Sequence, residues 1–67
     1  MATNLSIAKI LTNWRLVTEG GYMYCYGKLH GRAWETSCVM SLYTTENYYV
    51  VYTENSVYYL YYEDSKK

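Results

Sequence analysis

The chain of 67 residues has no phenylalanine, no proline and no net charge. A balanced charge argues against a strongly electrostatic nucleic-acid surface, which needs an excess of lysine and arginine. Cys25, Cys38 and His30 are the only cysteines and the only histidine. Because three residues cannot supply four zinc ligands and no CxxC occurs, we expect no metal site. A domain this small needs support, so we expect oligomerisation.

Long apolar runs are also absent. No stretch of 18 apolar residues exists, and no basic segment followed by an apolar one begins the chain. The sequence therefore predicts a soluble, unprocessed, intracellular protein whose cysteines are thiols.

Catalytic signatures are missing as well. There is no glycine-rich phosphate loop, HExxH or GxSxG motif, and His30 has no nucleophile or orienting partner at a suitable spacing. We expect a protein that is not an enzyme and that uses no cofactor.

What the chain does have is eleven tyrosines. Tyrosine, valine and threonine dominate from Tyr22 onward, which is typical of strands, and short turn signals interrupt them. The pattern predicts one all-β domain, a five-stranded antiparallel meander curled into an SH3-like barrel or a strongly bent sheet. Residues 1–10 are predicted to form an N-terminal segment with one or two helical turns, residues 11–62 the meander, and residues 63–67 a mobile tail.

The turn at Gly20-Gly21 fixes a first register, in which Trp14 lies opposite Gly27 and covers its bare backbone. A turn at Gly31-Arg32 would fix a second. The two registers place three pairs opposite each other, namely Lys28 with Glu35, Cys25 with Cys38 and Met23 with Met40. They share one predicted apolar face: Trp14, Leu16, Met23, Cys25, Leu29, Trp34, Cys38, Met40 and Leu42.

The last hairpin is predicted to run from Tyr48 to Thr53 and from Val57 to Tyr62, with aromatic residues on both faces. Leu60 and the polar Thr53 near the turn favour one face as the core: Tyr49, Val51, Thr53, Tyr58, Leu60 and Tyr62. The other face then carries Tyr48, Val50, Tyr52, Val57, Tyr59 and Tyr61.

Two sets of tyrosines lie on faces that the predicted core does not use. A contiguous aromatic patch usually marks an interface, and tyrosine combines a large contact area with a polar group. We predict partner-binding residues in both sets: Arg15, Tyr22, Tyr24 and Tyr26 in the first, and Tyr48, Tyr52, Tyr59 and Tyr61 in the second. The alternative for the first row is that a strongly bent sheet closes over it.

Stacked tyrosines also bind single-stranded nucleic acid or nucleotides, and this is the alternative function. Such platforms come with a basic groove. Here the late tyrosines lie among four acidic residues that would repel phosphate, namely Glu46, Glu54, Glu63 and Asp64.

The C-terminal half resembles short all-β accessory proteins of phages and mobile elements, in which G-R-x-W-x-T-S-x-V is followed by T-x-S-x-Y-x-L. The matching residues are Gly31, Arg32, Trp34, Thr36, Ser37, Val39, Thr53, Ser56, Tyr58 and Leu60, and Asn55 stands where a glycine is more usual. The resemblance implies a non-catalytic protein in the cytoplasm of a bacterial host. It would bind and block a host protein, such as a CRISPR-like defence complex. We also predict a homodimer and no association with membranes.

Overall fold

The computed structural model describes residues 8–66, which form seven strands in two sheets. The strands are β1 (Ala8–Ile10), β2 (Thr12–Glu19), β3 (Tyr22–Leu29), β4 (Arg32–Glu35), β5 (Val39–Thr44), β6 (Tyr48–Thr53) and β7 (Val57–Tyr61). One sheet has the order β1-β7-β6-β5 and the other β2-β3-β4. The all-β class is confirmed, but the prediction of five strands in an SH3-like barrel or a single bent sheet is wrong, because the two sheets do not close into a barrel.

The hairpin of β2 and β3 has the predicted turn at Gly20-Gly21, and Leu16 pairs with Cys25 as expected. The pairing of Trp14 with Gly27 is modified by a bulge, since the register shifts between Thr12 and Arg15. Trp14 still covers Gly27: a Cβ added there would lie 2.9 Å from the Thr12 carbonyl oxygen and 3.2 Å from the Trp14 Cα. Only glycine permits this approach.

The turn between β3 and β4 differs from the prediction by one residue. His30 and Gly31 occupy it, with φ values of 55° and 80°, so both central residues are left-handed, as a type I′ turn requires. The predicted Gly31-Arg32 turn and its pairing of Lys28 with Glu35 are therefore wrong. The observed pairs are Leu29 with Arg32, Lys28 with Ala33, Gly27 with Trp34 and Tyr26 with Glu35.

Thr36 directly follows β4, the last strand of the three-stranded sheet, and the chain then continues into β5 of the four-stranded sheet. Thr36 is buried; its N–H donates to the Cys25 carbonyl oxygen at 2.9 Å, and its Oγ1 accepts the Cys25 N–H at 3.0 Å. Because β5 then joins the other sheet, Cys25 does not pair with Cys38, nor Met23 with Met40. Met40 lies at a register shift in β5 and is 63% exposed, so its predicted place in the core is wrong.

The hairpin of β6 and β7 is confirmed in position to within one residue, because β7 ends at Tyr61 and Tyr62 begins a 3-10 helix. The predicted core face is confirmed within the two strands, but Val57, which was predicted on the other face, is also buried. Val51, Thr53, Tyr58 and Leu60 are buried, while Tyr49 is half-buried against the core. The Thr53 hydroxyl accepts the Ser56 N–H at 3.1 Å and donates to the Ser56 carbonyl oxygen at 3.1 Å, which fixes the turn.

The core lies between the two sheets. The three-stranded sheet and the segment before it supply Leu11, Trp14, Cys25 and Leu29, and the four-stranded sheet supplies Val51, Tyr58 and Leu60. The Trp34 side chain points towards the core side, as predicted, and contacts Tyr58. It lies on an edge strand, however, and is 39% exposed.

The two ends of the described chain differ from expectation. Ala8–Ile10 form a strand parallel to β7, where helical turns were predicted; the rest of that prediction concerns residues 1–7, outside the described part. A 3-10 helix spans Tyr62–Asp64, and the Lys66 N–H donates to the Trp14 carbonyl oxygen at 2.7 Å. Residues 63–66 of the predicted mobile tail thus run beside β2.

Within residues 8–66, no helix is long and apolar enough to cross a membrane.

Candidate functional site

The outer face of the four-stranded sheet carries five tyrosines that the core does not use. Strand alternation places them there, because Leu42, Val51, Tyr58 and Leu60 point to the other side. We call this surface the tyrosine face and define it as Tyr43, Tyr48, Tyr52, Tyr59 and Tyr61 with Ile10 and Val50. Val57 has the same facing in its strand but is only 6% exposed. The register aligns Tyr43, Val50, Tyr59 and Ile10 in one row across all four strands.

The rings of the tyrosine face pack against one another. Tyr48 lies 4.8 Å from Tyr59 and 4.9 Å from Tyr61 between ring centroids, and Tyr43 meets Tyr52 edge-to-face at 5.7 Å. These are favourable aromatic separations, so neighbouring rings restrict each other's rotamers. The rings are therefore partly ordered before any partner binds, which lowers the entropy cost of binding.

The tyrosine face holds no charged side chain, but its rim is acidic. Glu46 in the turn between β5 and β6 and Glu63 in the 3-10 helix are exposed and line a hollow with Tyr61. Glu54, in the turn between β6 and β7, is exposed as well but lines a hollow with Tyr22 and Tyr24 of the other sheet. An uncharged centre with a charged rim is the usual anatomy of a protein interface.

Tyrosines on the inner side have a different environment. Tyr58 is 3% exposed, and its hydroxyl accepts the Trp34 indole N–H at 3.1 Å. Tyr49 packs edge-to-face on Trp14 at 5.7 Å and on Tyr62 at 4.9 Å. The Tyr62 hydroxyl donates to the Thr45 carbonyl oxygen at 2.6 Å. Among residues 8–66 no buried side-chain nitrogen or oxygen lacks a hydrogen-bond partner.

The other predicted row lies on the outer face of the three-stranded sheet. Tyr22 is 60% exposed, Tyr24 and Tyr26 are half-buried, and the Arg15 guanidinium stands 5.4 Å from the Tyr26 ring centroid. The row is thus open to solvent at Tyr22, and the alternative in which the sheet closes over it is not what the structure shows.

The Tyr26 hydroxyl donates to the Glu35 carboxylate at 3.3 Å. Partial burial, and then the neighbouring Glu35 carboxylate, raise the pKa of Tyr26 above its ordinary value. The phenol is therefore a hydrogen-bond donor at neutral pH.

The structure brings Tyr48, Tyr52, Tyr59 and Tyr61 together and places Arg15, Tyr22, Tyr24 and Tyr26 on the other sheet. Sequence reasoning missed Tyr43 and Ile10 as members of the tyrosine face. Alternation from Leu42 could have found Tyr43. Ile10 had no signal, because its strand pairs with β7 at the far end of the chain.

Side chains that could hold a metal ion are not clustered in the part of the chain that the structure describes. Within residues 8–66, no three His, Cys, Asp or Glu side chains are close enough to share a metal ion, and His30 is exposed in its turn. Burial raises the pKa of the Cys25 thiol to about 12, so this thiol stays protonated at neutral pH. Both cysteines are free.

Searches of known protein families, curated proteins and solved structures returned no match for this chain.

Proposed function

We propose that this protein is a non-catalytic binding protein whose tyrosine face docks on a second protein. The observation that carries the proposal is an uncharged surface of five tyrosines whose rings contact each other, on the side of the sheet away from the core. Tyrosine is enriched at binding surfaces because it buries a large area with few rotatable bonds.

The size and the rim of the face indicate the chemistry of the partner. Three strands of five to six residues and one of three residues cover at most roughly 19 Å by 18 Å, which is less than the ~800 Å² per partner of a standard interface. A stable complex would therefore also use the rim. Because Glu46 and Glu63 lie there beside Tyr61, the matching surface would be an apolar patch edged by lysine or arginine. The same carboxylates oppose phosphate and disfavour single-stranded nucleic acid on this face.

The biological setting comes from the resemblance. A phage-type accessory protein would use such a face to bind a host protein and block it, with a CRISPR-like defence complex as one target. Residues that carry the resemblance have structural places in the fold. Thr36, Thr53 and Ser56 are buried. The Thr36 and Thr53 hydroxyls hydrogen-bond to backbone, and the Ser56 hydroxyl accepts a hydrogen bond from the Lys9 ammonium at 3.0 Å. This supports a shared scaffold, whereas the binding residues would belong to this chain.

Site-specific photo-crosslinking tests the proposal. Benzoylphenylalanine would replace Tyr59 at the centre of the tyrosine face and, as a matched control, His30 in the exposed turn of the other sheet. After irradiation in a bacterial host with an active defence system, we expect a discrete adduct with one host protein from position 59 and none from position 30. Equal adducts from both positions, or none from position 59, would reject the tyrosine face.

The predicted homodimer can be tested separately. If two copies associate through the tyrosine face, position 59 yields an adduct of twice the chain mass, and sedimentation of the purified protein shows a dimer at micromolar concentration. The Tyr48→Ser variant would then sediment as a monomer. A monomeric wild-type protein would remove self-association and leave the face to a different partner.

A further inference from the structure

A shallow hollow on the three-stranded sheet combines small residues with three cationic residues. Its floor includes Gly27 and Ala33, which lie on adjacent strands. Ala33 pairs with Lys28 and shares its face, whereas Gly27 pairs with Trp34 and offers only backbone here, so only short groups lie between the longer side chains around them. Those walls include Arg15, Lys28 and Lys66, and also Glu35.

The charge of the hollow is unbalanced. Three cationic residues line it against one carboxylate, although the chain as a whole is neutral. Glu35 already accepts the Tyr26 hydroxyl. An excess of about two positive charges matches a phosphate monoester or diphosphate, which carries close to two negative charges at neutral pH.

Parts of the hollow are held in place before a ligand arrives. The Arg15 guanidinium stands over the Tyr26 ring, 5.4 Å from its centroid, and the Tyr26 hydroxyl donates to Glu35. The backbone of Lys66 is bonded to Trp14, which brings a cation from the end of the chain to this sheet. A stacked guanidinium keeps its N–H groups available for bidentate bonds to phosphate oxygens.

We propose that this hollow binds the phosphate group of a phosphorylated ligand, in which Arg15, Lys28 and Lys66 contact the phosphate oxygens. The hollow lies on the three-stranded sheet, whereas the tyrosine face lies on the four-stranded sheet. It would therefore be a second binding site of the proposed binding protein. Two sources share this chemistry: a small nucleotide with a terminal phosphate, and the backbone of a nucleic acid.

Amide chemical shifts of the isotope-labelled full chain test the site directly. The probes are pyrophosphate, ADP, adenosine and a short oligothymidylate, each titrated at low salt. We expect pyrophosphate and ADP to shift the amides of Gly27, Lys28 and Ala33, and adenosine to leave them unchanged. An oligonucleotide that binds more tightly than ADP would assign the source to nucleic acid, and the reverse to nucleotides. Absence of shifts with all four probes overturns the proposal.

Matched variants separate a built site from general charge attraction. Lys28→Gln and Arg32→Gln remove the same charge from neighbouring surface positions, but Arg32 does not line the hollow. We expect Lys28→Gln to weaken ADP binding about tenfold and Arg32→Gln less than about twofold. Equal effects would overturn the proposal. Tyr59→Ser should not change ADP binding, so this result is independent of the tyrosine face.

Discussion

Tyr58 and Tyr59 are neighbours on β7, yet they lie in opposite environments. Tyr58 faces the core, is almost completely buried and accepts a hydrogen bond from Trp34. Tyr59 faces away, contacts Tyr48 and belongs to the tyrosine face. The same residue type thus serves two purposes on the two sides of one sheet.

The difference explains why the chain has tyrosine and no phenylalanine on both sides. Inside, the hydroxyl of Tyr58 completes a polar pair with Trp34, so it costs little to bury. Outside, a row of phenylalanines on an open sheet would invite aggregation, whereas phenols keep the contact area and tolerate water. We infer that inner tyrosines stabilise the fold and outer ones are available for a partner.

The largest expected contrast is between Leu60 and Tyr59. Leu60→Ala removes a side chain with no solvent exposure and should lower the free energy of unfolding by about 2–5 kcal/mol. Tyr59→Ala removes more atoms but from the outer face, and should cost about 1 kcal/mol or less. Urea denaturation followed by circular dichroism measures both. Similar losses would mean that the tyrosine face is part of the core.

The buried Cys25 thiol gives a pH-dependent test of which side chains lie in the core. The buried Cys25 thiol keeps its proton to about pH 12, while the unfolded chain releases it near 9.0. Its contribution to stability is therefore complete below pH 9 and is lost progressively as the pH rises towards 12. At pH 10 the loss should be about 1.4 kcal/mol.

Denaturation of the wild type and of Cys25→Ala at pH 8 and pH 10 isolates this effect from tyrosine ionisation. Between pH 8 and pH 10, the free energy of unfolding should fall by about 1.4 kcal/mol less in Cys25→Ala than in the wild type. Parallel pH dependence of the two proteins would show that Cys25 is not buried as described.

The smallest contrast compares two hydroxyls. Tyr58→Phe leaves the Trp34 indole N–H without its acceptor and should cost about 0.5–1.5 kcal/mol. Tyr59→Phe should change the free energy of unfolding by less than about 0.5 kcal/mol but lower the solubility. Thermal unfolding and the saturation concentration are the measurements. A larger stability loss for Tyr59→Phe than for Tyr58→Phe would reverse the assignment of the two faces.

The sequence predicts those parts of the fold that depend on local patterns. Alternation and the Thr53–Ser56 turn define the last hairpin, and Gly20-Gly21 defines the first. Thr36 could not be predicted as a corner, since neither glycine nor proline marks it and its hydrogen bonds go to Cys25. The pairing of β1 with β7 joins residues about fifty positions apart, and no local signal encodes it.

For the candidate site, the outer tyrosines could be predicted from strand alternation alone, because successive side chains point to opposite faces of the sheet. The hollow with Arg15, Lys28 and Lys66 was missed because it depends on the tail lying beside β2. The hollow also depends on the register of β3 with β4. The observed register differs from the predicted one because His30, and not Arg32, lies in the turn with Gly31.

Hydroxyl-radical footprinting of the protein alone and in its photo-identified complex tests the central claim most directly. In the free protein, Tyr43, Tyr52 and Tyr59 should be labelled readily and Tyr58 only after unfolding. In the complex, labelling should fall at Tyr43, Tyr52 and Tyr59 and stay unchanged at Tyr22 and Met40. Protection confined to Tyr22 and Met40, or outer tyrosines that resist labelling in the free monomer, would contradict the account.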